Sequence, residues 1–161
     1  MATSNLIQKL DILDGAGATL PPGVSNRRQV ETFNAAGTIV AGDIVMWNVT
    51  AGATAGDSGA LASVVQSASR ALGQPLACGV ALESAAAGDT VNVVISGFAT
   101  VNCAANTGGI SLGDPLVASV VTAGEAEVNA ATNTARPFGV ALEAADATVA
   151  NFVNICVYPQ F

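Results

Sequence analysis

Histidine is absent from this chain of 161 residues, and with it go the commonest general base and the commonest transition-metal ligand. Triads and metal sites that need imidazole are excluded. Charge is scarce: 11% of residues carry one, twelve acids stand against five bases, and Lys9 is the single lysine. The net charge of −7 opposes nucleic-acid binding, where phosphate contacts supply most of the non-specific affinity. Aromatic residues make up only 4% of the chain. No run of about 18 apolar residues occurs, so no membrane-spanning helix is expected. The first ten residues lack the apolar core of a secretory signal. The three cysteines, Cys78, Cys103 and Cys156, form no CxxC pair. They are expected to be buried small hydrophobes in a reducing cytoplasm, not zinc, redox or disulfide groups.

Against these absences, 51% of the residues are hydrophobic and 17 are glycine. Exposed helix faces draw on Glu, Lys, Arg and Gln, which together number only 15 here. Short β-branched runs separated by glycines point instead to an all-β fold, a small barrel or a jelly-roll-like sandwich. The clearest strands are Thr38–Val49, Thr90–Val101, Pro115–Val121 and Asn151–Tyr158. Within Thr90–Ser96, Val91, Val93 and Ile95 share one face, a period of two that marks a strand with a dry side. Across Asp57–Gly73 the spacing of Leu61, Val64, Val65, Ala68 and Leu72 admits one short helix, capped by Asp57-Ser58 and stopped at Gly73. The weak helix formers Val64 and Val65 admit an irregular excursion instead.

An internal repeat organises the chain. Cys78-Gly79-Val80-Ala81-Leu82-Glu83-Ser84-Ala85 returns as Phe138-Gly139-Val140-Ala141-Leu142-Glu143-Ala144-Ala145. A Gly-Asp and an apolar run precede each copy, at Gly42-Asp43 and Gly113-Asp114. A valine-rich strand follows each, Val91-Asn92-Val93 matching Val153-Asn154-Ile155. Gly42 to Gly79 spans 37 residues and Gly113 to Gly139 spans 26, which places an 11-residue surface insertion near Asp57–Gly73. The expected organisation is a single β domain over residues 36–161, with repeat units at about 36–101 and 107–161. Residues 1–35 are rich in breakers and read as an extended N-terminal arm.

The arm holds three of the five basic residues, Lys9, Arg27 and Arg28. Two readings of the arginines stand: solvated partners for Glu31 and Asp14, or a grip on an acidic neighbouring subunit. On the second reading Lys9, Arg27 and Arg28 are the candidate subunit contacts. Elsewhere, chemistry is hard to place. Glu83 and Glu143 are a repeated pair of carboxylates, but a repeated strand-end corner accounts for them better than acid–base catalysis. Asp43, Asp89 and Asp114 follow glycine at turns without the ligand clustering of a calcium loop. Ser58 and Ser111 have glycines nearby but no histidine to activate them, and no phosphate-loop lysine is present. Asn106–Gly109 suits a hairpin turn. Trp47 is expected in the core and not on a sugar-binding platform.

These segments resemble the capsid-stabilising (decoration or cement) proteins of tailed bacteriophages. The resemblance rests on the Gly-Asp turns, the Gly-Val-Ala-Leu-Glu segments, Gly88-Asp89-Thr90-Val91-Asn92-Val93 and Ser96-Gly97, and covers Ala36 to Tyr158. It implies a small β-barrel or jelly-roll-like protein, a homotrimer on the outside of the head at junctions between major capsid proteins. It also implies no catalytic residues, no cofactor, and neither a nucleic-acid nor a membrane partner. Assembly in the host cytoplasm and residence on the virion follow. The long arm and the segment near Asp57–Gly73 depart from the compact pattern. A glycan-binding module centred on Trp47 and an enzyme using Glu83 and Glu143 are the competing readings.

Overall fold

The computed structural model describes residues 28–48, 64–68, 77–103, 109–129, 135–146 and 151–158. In chain order its strands are β1 Arg28–Ala35, β2 Ile44–Trp47, β3 Val64–Ser67, β4 Ala77–Ala81, β5 Thr90–Cys103, β6 Pro115–Ala118, β7 Ala126–Val128, β8 Gly139–Ala141 and β9 Asn151–Val157. The described residues contain no helix. The all-β expectation holds, and of its two forms the barrel is the one observed.

Strand pairing closes on itself twice. β1 pairs with β3, β3 with β2, β2 with β4 and β4 with β5, which returns to β1. The same circuit then runs from β5 through β7, β6, β8 and β9 back to β5. In both circuits the first link is parallel and the other four are antiparallel. Thr90–Gly97 of β5 faces β1, and Gly97–Cys103 faces β9. At the changeover Gly97 stands opposite both Arg28 and Val157, with a φ of 99° that residues with a Cβ rarely adopt. The pairing thus divides β5 between the units, so the second unit begins inside this strand. Closure of each circuit removes exposed strand edges.

Two expectations change. Arg28–Ala35, counted with the arm, form a strand of the first barrel; only Phe33 and Ala35 of its eight residues are buried, so its dry face is too short to signal a strand. The helix weighed over Asp57–Gly73 is not formed at its centre, where Val64–Ser67 are β3. Val65 lies fully buried opposite Trp47, where a β-branched residue packs well. Apart from Ala68, the rest of that segment lies outside the described residues, as do residues 1–27 and most of Asn106–Gly109.

The core has two parts. Phe33, Ile39, Val45, Val65, Cys78, Val91 and Val93 fill the first barrel, with Trp47 packed against them. Val101, Leu116, Phe138, Val153 and Ile155 fill the second, joined by Ile44, Met46, Val80 and Val94 from the first unit. Strand alternation explains the sharing. On β2, Val45 points into its own barrel, while Ile44 and Met46 point outward and are covered by the second.

Candidate interaction surface

The repeated segments build the same local structure twice. The Ile39–Ala85 bridge has its counterpart in Ile110–Ala145. Gly42 donates to the Ala81 carbonyl at 2.8 Å, and Gly113 to the Ala141 carbonyl at 2.9 Å. Both glycines have positive φ, 87° and 90°, which explains the Gly of each Gly-Asp pair. Gly79 and Gly139 have a different reason. A Cβ at Gly79 would lie 2.2 Å from the Val94 carbonyl oxygen, and one at Gly139 would lie 2.7 Å from that of Cys156.

The carboxylates are used to hold turns. The Glu83 carboxylate accepts from the Asn92 backbone N–H at 3.1 Å and its side-chain amide at 2.8 Å. Thr32 donates in turn to Asn92 Oδ1 at 2.8 Å. In the second unit Glu143 accepts from the Asn154 N–H at 2.7 Å, and Thr100 donates to Asn154 Oδ1 at 3.0 Å. Each glutamate is thus committed to the strand of its own unit, as a repeated corner requires. Asp89 and Asp114 likewise accept the N–H of the residue three before them, Ala86 and Ser111.

Asp43 departs from this pattern because it lies in the seam between the units. It is buried, and its carboxylate accepts from the Val40 N–H, the Ser67 hydroxyl and, across the seam, the Asn102 amide at 3.1 Å. The Asn102 amide also reaches the Ala41 carbonyl, and the Asn102 backbone N–H donates to Gly42 at 2.9 Å. Gly124 completes the seam: it accepts from Ile44 at 2.7 Å, donates to Ala68 at 2.8 Å, and has no room for a Cβ beside Asp43.

Of the three predicted contact residues, Arg28 is described, while Lys9 and Arg27 lie outside the described residues. Arg28 is exposed and lines an open groove of about 380 Å³ along the seam, together with Ala41, Gly42, Leu82, Phe98, Thr100 and Asn154. Phe98 is 41% exposed. Other apolar side chains of the second unit also face solvent: Leu112 at 71%, Val121 at 69% and Val120 at 48%. The Val120–Val121 tip is held by side chains beneath it, since the Ser119 oxygen accepts from Val121 and Thr122, and Glu127 accepts from Val120. Sequence reasoning passed over these positions because single exposed valines and leucines carry no motif. It also passed over Thr32-x-Asn34, which Thr100-x-Asn102 repeats.

The cysteines behave as small hydrophobes. Burial pushes both the Cys78 and Cys103 thiols up to about 12, and Cys156 is half-buried. Trp47 meets Phe33 edge to face at a centroid distance of 5.2 Å, which makes it a core residue.

Comparison with known proteins agrees with this architecture. The chain is similar in fold to the N base of head fiber gp8.5 of bacteriophage phi29, at 19% identity and a TM-score of 0.52, over 83% of this chain and 96% of that one. It is also similar to a chain in the capsid of Myoviridae phage XM1, at 17% identity and a TM-score of 0.60, over 84% of this chain and 86% of that one. No curated protein compared with it matches. The family model described as phage cement protein matches residues 58–157. A duplicated β-barrel whose carboxylates are spent on its own turns is thus a capsid-associated structural protein of the virion, and the chain belongs to the phage cement protein family.

Proposed function

We propose that this protein binds the outside of a phage head at junctions between major capsid proteins, as a homotrimer, and strengthens the shell against the pressure of packaged DNA. It does so by adhesion, without a catalytic step. The observation that carries this reading is the contrast between the protein's engaged carboxylates and its free apolar side chains. The repeated carboxylates Asp43, Glu83, Asp114 and Glu143 are engaged in internal hydrogen bonds. Leu112, Val120, Val121 and Phe98 are held out to solvent on closed barrels that have little freedom to rearrange. A rigid body with scattered apolar contacts suits wedging between larger subunits better than turnover.

Arg28, and with it Lys9 and Arg27 in the sequence before it, supply the basic contacts of this reading. Residues 1–28 carry three bases and two acids, whereas the remainder carries two bases and ten acids. This polarity suits a basic end gripping an acidic neighbour. The glycan-binding alternative loses its platform, because Trp47 packs against Phe33 in the first barrel.

The test is to mix purified protein with capsid shells stripped of their accessory proteins and reconstruct the particles by cryo-electron microscopy. Three-fold density on the outer surface between major capsid subunits is expected, with a gain in heat resistance of filled heads. Density inside the shell, or no binding at saturating protein, would refute the proposal. Replacing Arg27 and Arg28 together by Ser should weaken binding at low salt by roughly tenfold if they contact the shell.

A further inference from the structure

The seam inside the chain is a template for a contact between chains. On one side of it stands the first unit's turn, Val40–Asp43; on the other stands Asn102 on β5, donating hydrogen bonds to oxygens of that turn's Ala41, Gly42 and Asp43. Both sides exist a second time. The second unit's turn, Ser111–Asp114, has the same aspartate hydrogen bond and the same positive-φ glycine. The counterpart of Asn102 is Asn34, because β1 and the second half of β5 hold matching places in the two circuits. Thr32 bonds Asn92 as Thr100 bonds Asn154, and Ala35 opposes Val65 in neighbouring register to Asn34–Val64, as Cys103 opposes Ala126.

Both duplicates face solvent. Asn34 is exposed, whereas Asn102 is partly covered by the turn. A Cβ at Gly42 would strike Asn102, but a Cβ at Gly113 meets nothing within 4 Å. Leu112, in the place of Ala41, is 71% exposed. Among the described residues nothing covers either the second turn or the Asn34 face, and the two are complementary as the seam's two sides are.

We propose that copies of this chain associate head to tail, the Ser111–Asp114 turn of one copy seating on the Asn34 face of the next. The contact is heterologous, so a suitable rotation closes it into a ring; it therefore supplies the interface for the oligomer in the reading above and rests on that reading. Asp114 takes the role of Asp43 toward Asn34. Burial of Leu112 adds apolar area that Ala41 does not offer within the chain. Pro115 stands where Ile44 donates to Gly124, so the contact between copies lacks that backbone hydrogen bond. It is accordingly weaker and reversible, as suits a protein that assembles on a shell.

The test is disulfide trapping with the full chain in a Cys156→Ser background. Asn34→Cys with Leu112→Cys should give covalent oligomers under mild oxidation, while either single cysteine should give no such ladder. Separately, Asp114→Ala and Asn34→Ala should each weaken self-association about tenfold or more in analytical ultracentrifugation, with unchanged circular dichroism. An oligomer that forms in the parent chain but is neither trapped by the cysteine pair nor weakened by these substitutions overturns the head-to-tail contact. A protein that stays monomeric at every concentration overturns it as well. If the parent chain still decorates shells in either case, the capsid-binding reading stands and only this interface falls.

Discussion

The two barrels share a strand circuit yet are filled differently. In the first, Phe33 and Trp47 meet edge to face within the barrel's own residues. At the matching places of the second stand Val101 and Ala118, and its core takes in the outer face of the first unit, through Ile44, Met46, Val80 and Val94. Duplication has thus not produced two independent domains. The first barrel fills its interior with its own residues, whereas the core of the second draws on its neighbour.

The harshest test of this asymmetry is a single methyl group at each repeated glycine. Gly79→Ala would force a Cβ to 2.2 Å from the Val94 carbonyl, and Val94 belongs to the shared core. A loss of about 3 kcal/mol in urea unfolding is expected, at the upper end for overpacking. Gly139→Ala, at 2.7 Å from the Cys156 carbonyl, should cost less, about 1–2 kcal/mol. Equal losses would show that the second unit is as tightly held as the first.

Met46 sharpens the comparison further, because it lies on the first unit but packs in the core of the second. Met46→Ala should cost about 2–3 kcal/mol by opening a cavity in that shared core. Trp47, the sole tryptophan, reports on the first barrel alone. The expected signature is a loss of far-ultraviolet circular dichroism at lower urea than the change in tryptophan fluorescence. Coincident transitions would mean that neither barrel survives without the other.

The paired turns predict a smaller gap. Asp43→Ala leaves the Val40 N–H, the Ser67 hydroxyl and the Asn102 amide without their acceptor in a buried seam, for a cost of about 2 kcal/mol. Asp114→Ala removes the acceptor for the exposed Ser111 N–H and should cost about 0.5 kcal/mol in the monomer. Thermal melts at low protein concentration separate the two, since the self-association proposed for Asp114 does not then contribute.

What could be read in advance follows from which constraints act on single residues. A glycine required by a paired strand's carbonyl and an aspartate closing its own turn are demands on single positions, and they made the repeat visible at Gly79, Gly139, Asp43 and Asp114. The strands Thr90–Cys103 and Asn151–Val157 were legible because each has one dry face along its length. β1 was not, since six of its eight residues are exposed and only Phe33 and Ala35 turn inward. In the Asp57–Gly73 segment the apolar spacing fitted a helix, yet the place available for Val65 was a strand opposite Trp47. Tertiary pairing overrode a local period there. Of the interaction surface, Arg28 was visible as rare charge. The seam was not, because Asn102 and Gly124 acquire their meaning only when the second barrel meets the first.

The buried thiols give the last and mildest comparison. Cys78 lies inside the first barrel, where its counterpart in the second is Phe138, a residue that does not titrate. Burial raises the Cys78 thiol from its ordinary 9.0 to about 12. The unfolded chain therefore releases this proton first as pH rises, so the stabilisation is complete below about pH 9 and is lost progressively between about 9 and 12. Within that window the thiol alone should lower stability by roughly 1.4 kcal/mol per pH unit. Burial raises Cys103 in the same direction, assisted by Glu125 and Glu143, so Cys78→Val should remove only part of the alkaline slope. The comparison is of slopes and not of absolute stabilities, which cancels the packing change that the substitution brings. An unchanged slope in Cys78→Val would mean that alkali opens the molecule through the second barrel, at Cys103, and that the first barrel stays closed.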